Sequence, residues 1–150
     1  MSEYEYDGPR TQVSLERRFD AEARQVFDAW TDPEVAETWL FSTGEGSECV
    51  LDPRPGGSYR ITRTDGEQIY VAVGEYKRVD PPRRLVFTFA MPQFAADVGT
   101  VEVDISAAGG NKATLRLKLS GVRPGYEQPT KEGWNGMLDL LERALGSQAD

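Results

Sequence analysis

The side chains best placed to do chemistry are three tyrosines and two tryptophans. Tyr59, Tyr70 and Tyr76 fall at alternate positions in strand-like segments, and Trp39 and Trp134 fall on the apolar sides of helix-like ones. Phenol and indole groups donate hydrogen bonds, which suits orienting a carbonyl or a phenol. They are poor general bases, because tyrosine titrates near ~10 unless shifted. The chain contains no histidine, so the commonest general base at neutral pH and the commonest zinc ligand are both missing. Ser58 and Ser120 have no histidine partner, which excludes a Ser-His-Asp mechanism. Arg54-Pro55-Gly56-Gly57-Ser58 lacks phosphate-loop spacing and reads as a hairpin turn. The single cysteine, Cys49, permits no internal disulfide. It is expected to be a buried structural thiol, since nothing nearby would lower its pKa. No carboxylate falls on an inward strand position: Glu75, Glu102 and Asp104 point outward, and Asp97 sits in an irregular apolar stretch over 91–98. No catalytic residue, metal or cofactor is therefore assigned.

The elements that must position these groups follow from periodicity. Thr11 to Phe19 alternates as a strand, with Val13, Leu15 and Arg17 on one parity. From Asp20 the period becomes helical, with Val26, Phe27 and Trp30 on one side. Thr31-Asp32-Pro33-Glu34 stops this helix and starts a second, with Asp32 as its cap and Pro33 at its first position. Val35, Ala36, Trp39 and Leu40 form the apolar side of the second helix. Strands follow. A turn at Asp52 to Gly57 sets Leu51 opposite Tyr59 and Cys49 opposite Ile61. Asp65-Gly66 turns again, and Tyr70, Ala72, Gly74 and Tyr76 share a parity. Two prolines after Asp80 end that strand. Leu85, Phe87 and Phe89 alternate. Val101, Val103 and Ile105 oppose Leu115 and Leu117 across Ala108 to Asn111. A turn centred on Gly109 pairs Glu102 with Arg116 and Thr100 with Lys118, a charge-complementary outer face. A last helix from about Thr130 carries the stripe Trp134, Leu138, Leu141 and Leu145, widened by Met137, Leu140 and Ala144, with Gly146 as its expected cap.

A strand, two short helices, a run of antiparallel strands and a long C-terminal helix define an α+β fold. The sheet has one solvated face, so the helix covers the other. The expected organisation is a loose arm over 1–10, one domain over 11–146 and a short tail over 147–150. At 150 residues and 39% hydrophobic content the chain can bury a core. Its net charge of −8 disfavours nucleic-acid partners. No apolar run reaches the ~18 residues of a membrane span, and the N-terminus is no secretory signal, so a cytoplasmic setting is expected.

Four motifs together resemble one family. Val26-Phe27-Asp28-Ala29-Trp30-Thr31-Asp32-Pro33-Glu34 is similar to the opening motif of the START-like helix-grip superfamily, in the branch named for the activator of Hsp90 ATPase. Asp52 to Gly57, Val79 to Phe89, and Gly133-Trp134 follow in the family's order. The resemblance covers 11–146. It implies a curved antiparallel sheet of about six or seven strands gripping the long helix, with a cavity between. It implies a binder of small apolar molecules, or alternatively a polyketide cyclase/dehydratase-like enzyme or a stress- or chaperone-associated interaction protein. The chain departs from the family in one place. Many members put Gly-Pro soon after the tryptophan of the second helix, whereas Trp39 here is followed by Leu40-Phe41-Ser42-Thr43-Gly44. The expected walls are Trp39, Phe41, Tyr59, Ile61, Gly74, Tyr76, Phe87, Phe89, Val103, Leu117, Trp134, Leu138 and Leu141. Gly74, in mid-strand, is expected to leave room for a ligand or a ring. The expected partner is a small apolar or aromatic molecule, with the chain a monomer or weak homodimer.

Overall fold

The computed structural model describes residues 9–40, 48–90 and 99–148. Most of the expected arm, Phe41 with the rest of the segment after Leu40, Asp97 with its stretch, and the last two residues lie outside the described residues. The elements run β1 (Thr11–Phe19), α1 (Ala23–Thr31), α2 (Pro33–Ala36), β2 (Glu48–Leu51), β3 (Ser58–Asp65), β4 (Gln68–Asp80), β5 (Arg84–Phe89), β6 (Gly99–Ala107), β7 (Ala113–Val122) and α3 (Glu127–Gln148). The strands form one curved antiparallel sheet in the order β1-β7-β6-β5-β4-β3-β2. α3 packs on β1 and α1.

Local chemistry accounts for the short helices. The Asp28 carbonyl accepts from the Asp32 amide at 2.8 Å as α1 ends. Asp32 Oδ1 then accepts from the Glu34 N–H at 3.0 Å, and Pro33 occupies the first position of α2. Apolar sides, buried together, hold both helices: Val26, Phe27, Ala29 and Trp30 from α1, and Ala36 from α2. α2 is a single turn, so Trp39 and Leu40 follow it in a turn and are not helical, although both are buried.

β4 is the strand that bends the sheet. Its first part, up to Glu75, pairs with β3, and its second, from Tyr76, pairs with β5, with a register shift between Tyr76 and Arg78. The hairpin before β3 folds onto this joint: Gly56 N–H donates to Tyr76 O at 2.9 Å and Tyr76 N–H donates to Gly57 O at 2.8 Å. The expected pairs Leu51–Tyr59 and Cys49–Ile61 are present.

Two expectations are corrected. Glu102 lies opposite Lys118, Asp104 opposite Arg116 and Thr100 opposite Ser120. The connection is five residues long, closed by Ala108 N–H to Lys112 O at 2.9 Å, with Gly109 and Gly110 both at positive φ. Moving the turn centre by one residue slips the register by two. That slip preserves side-chain parity, so the inward pattern is blind to it. The outer face is charge-complementary in either register: Arg84 bonds Asp104 at 2.6 Å and Glu102 at 2.8 Å, and Arg116 bonds Glu16 at 2.9 Å. Gly146 is not a cap, because α3 starts at Glu127 and continues through it to Gln148. Leu145 is buried in the core just before it, so packing carries the helix past a residue of low propensity.

Candidate functional site

The inward parity of β3, β4 and β5 and the apolar sides of the helices meet in a cluster of aromatic rings. Trp30 is central. Its ring meets Trp39 edge-on at 4.7 Å, stacks on Trp134 at 6.3 Å and tilts over Phe87 at 6.0 Å. Phe87 meets Tyr59 at 5.6 Å and Tyr76 at 6.2 Å, and the two tyrosines lie 5.6 Å apart. Phe89 closes on Trp134 edge-on at 6.3 Å. These separations fall in the favourable range for offset and edge-to-face pairs, each worth roughly 0.5–1.5 kcal/mol beyond burial.

A cavity of about 10 Å³ remains inside the cluster, lined by Trp30, Leu40, Tyr59, Tyr76, Leu85 and Phe87. That is about the space of one water molecule. The expected wall residues thus divide. Tyr59, Tyr76 and Phe87 line this cavity. Trp39, Trp134 and Phe89 back it through ring contacts. Ile61, Val103, Leu117, Leu138 and Leu141 belong to the same buried core without lining the cavity.

Gly74 does not leave room. A Cβ there meets the Tyr59 ring at 2.6 Å and the Thr88 carbonyl carbon at 2.7 Å, with the Thr88 oxygen closer still. The glycine lets the β5 backbone approach, and the Tyr59 hydroxyl donates to that same Thr88 carbonyl at 2.8 Å.

The polar groups also divide. Trp39 Nε1–H donates to Ala29 O at 3.0 Å, so it braces α1. The Tyr70 ring lies under the Arg63 guanidinium at 4.4 Å, a cation–π pair between neighbouring strands. Burial pushes the Tyr59 and Tyr76 hydroxyls well above the ordinary tyrosine range, with the two tyrosines' mutual proximity adding to the shift of Tyr59. Burial, with Glu37 nearby, pushes the Cys49 thiol up to about 11. Cys49 is half-buried and thiol-like, not thiolate. The site therefore presents neutral donors at ordinary pH.

Trp30 is the residue that strand parity did not point to. Its Nε1–H is buried and has no hydrogen-bond partner, a costly state for an indole donor. Helical spacing placed its ring on the inner side of α1, and that was the available signal. Among the described residues, no group of three or more Cys, Asp or Glu side chains is arranged to hold a metal ion, and no helix is long and apolar enough to cross a membrane.

A sheet curved around a C-terminal helix, with a ring-lined interior, is a helix-grip α+β domain. Solved structures share this fold. SA2116 of Staphylococcus aureus, described as a protein of unknown function, superposes with a TM-score of 0.78 at 18% identity, over 94% of this chain and 96% of that one. CV1439 of Chromobacterium violaceum gives 0.75 at 22%, over 89% and 96%. CalU16 of Micromonospora echinospora gives 0.67 at 22%, over 94% and 87%. At such identities the likeness is one of fold. No curated protein matches the chain. The family model described as Activator of Hsp90 ATPase homolog 1-like protein matches residues 20–146, and the chain belongs to that family.

Proposed function

We propose that the chain binds a small apolar or aromatic molecule between the sheet and α3, with a hydrogen-bond acceptor on the ligand satisfying Trp30. The observation that carries this reading is the unpartnered Trp30 indole N–H beside an apolar cavity in a cluster of rings. Ligand binding is also a known property of the fold family. The neutral donors of the site favour a carbonyl or ether oxygen over a charged group. Because the cavity is water-sized, a ligand displaces rings as it enters. The proposed setting is the cytoplasm, with the chain a monomer or weak dimer.

All three tryptophans of the chain belong to the ring cluster, so intrinsic fluorescence reports on it directly. A screen of flavonoids, aromatic polyketides and fatty acids should yield a saturable fluorescence change with a matching rise in Tm. At a hundredfold excess over Kd the stabilisation is about 2.7 kcal/mol, or roughly 5–11 °C for a domain of this size. A panel that moves neither signal refutes the reading.

A further inference from the structure

α3 is built unevenly. Between Glu127 and Gly133 it has no buried residue, and its first buried side chain is Trp134. Gly133 and Gly136 flank that tryptophan, both exposed, and a Cβ at either would meet nothing within 4 Å. Neither glycine is needed for a close approach. Each weakens the helix relative to alanine by roughly fivefold in its folding equilibrium, because glycine loses more backbone freedom on ordering. Two further glycines at positive φ precede the helix, Gly121 near the end of β7 and Gly125 in the connection itself. The other half of α3 is held firmly. Leu138, Leu141 and Leu145 are buried, and Arg17 of β1 binds Asp139 at 2.6 Å; its longer bond of 3.3 Å, to Asn135, reaches the segment around the two glycines. Trp134, where the weak half ends, backs the site without lining the cavity: it stacks on Trp30, the cavity-lining ring with the unpartnered donor. A cavity of about 10 Å³ admits no organic ligand unless something covering it moves.

We propose that the first two turns of α3 open as a gate about Gly133 and Gly136, lifting Trp134 off Trp30 to admit the ligand. The gate rests on the ligand-binding reading for its purpose, but its motion is measurable without a ligand. Native-state hydrogen exchange compares amides 131–136 with amides 141–145. The first group should exchange at least tenfold faster after correction for intrinsic rates. In the Gly133→Ala/Gly136→Ala double variant, exchange of 131–136 should slow by about 25-fold. Gly146→Ala, an equally open helical position, should leave those amides unchanged. Equal protection of the two segments in the parent, or no slowing in the double variant, overturns the gate.

A second arm uses N-phenyl-1-naphthylamine, a neutral aromatic fluorophore, in stopped flow. Entry and exit through one gate predict that association and dissociation both slow in the double variant, by up to about 25-fold, with Kd little changed. Unchanged rates overturn the gate. If the fluorophore binds neither protein, the exchange experiment still decides the gate, and the failure falls on the ligand reading.

Discussion

Replacing Gly74 by alanine tests whether the mid-strand glycine faces ligand space or protein. The added Cβ meets the Tyr59 ring at 2.6 Å and the Thr88 carbonyl carbon at 2.7 Å. Ordinary carbon–carbon contacts lie at roughly 3.5–4.0 Å, so both neighbours must retreat by about 1 Å. They are not free to do so. Val73 and Ala90 exchange two backbone hydrogen bonds at 3.0 and 2.8 Å, and Glu75 N–H donates to Thr88 Oγ1 at 3.0 Å. Overpacking of this kind costs about 1–3 kcal/mol. Loss of the Tyr59 hydroxyl bond to Thr88 adds about 1 kcal/mol. The smaller entropy of the unfolded alanine chain offsets about 0.4–1 kcal/mol. The net expectation is a destabilisation of about 2 kcal/mol and a Tm lower by roughly 4–8 °C. Urea titration followed by tryptophan fluorescence should show a lower midpoint with an unchanged slope. A variant within about 0.5 kcal/mol of the parent refutes the argument, and means that β4 and β5 part here without cost.

Leu138→Ala removes a fully buried side chain from the anchored half of α3 and should cost about 2–5 kcal/mol by urea titration. Arg84→Ala removes the hub of the outer-face pairs with Glu102 and Asp104. It should cost about 1 kcal/mol, and the gap should narrow as salt is added. Stability should fall as pH rises above about 9. The folded forms of Cys49, Tyr59 and Tyr76 keep their protons above the ordinary values of 9.0 and 10.0 at which the unfolded chain releases them. Their contribution is complete below those values and is lost on the alkaline side, by up to about 1.4 kcal/mol per pH unit for each of the two tyrosines and by less for the half-buried Cys49, which solvent screens. With no histidine in the chain, thermal melts from pH 6 to 8 should show nearly constant Tm; a drop of many degrees inside that window contradicts this account.

Much of the fold was legible because secondary structure is written in local periods. The change from period two to helical spacing after Asp20, the Asp32-Pro33 cap, the Asp52–Gly57 hairpin and the Trp134-Leu138-Leu141-Leu145 stripe all act within a few residues of one another. Parity also identified most of the buried face, including Tyr59, Tyr76 and Phe87. Trp30 was legible as a core residue but not as the unpartnered donor. Whether an indole N–H finds an acceptor depends on chains that arrive from elsewhere, and Trp39 finds the Ala29 carbonyl while Trp30 finds none.

By itself the sequence determined which side of each element is apolar, and that histidine chemistry is absent. The tertiary structure alone decided what occupies the space those sides enclose. Parity assigns a residue to a face but says nothing about the distance to the next strand. The β5 backbone therefore claims the room at Gly74. The hairpin from β6 to β7 takes a register that both of its faces permit two residues away. Among the described residues, close packing of non-adjacent segments leaves a cavity of about 10 Å³ inside the ring cluster, where the pattern of residues allowed a larger one.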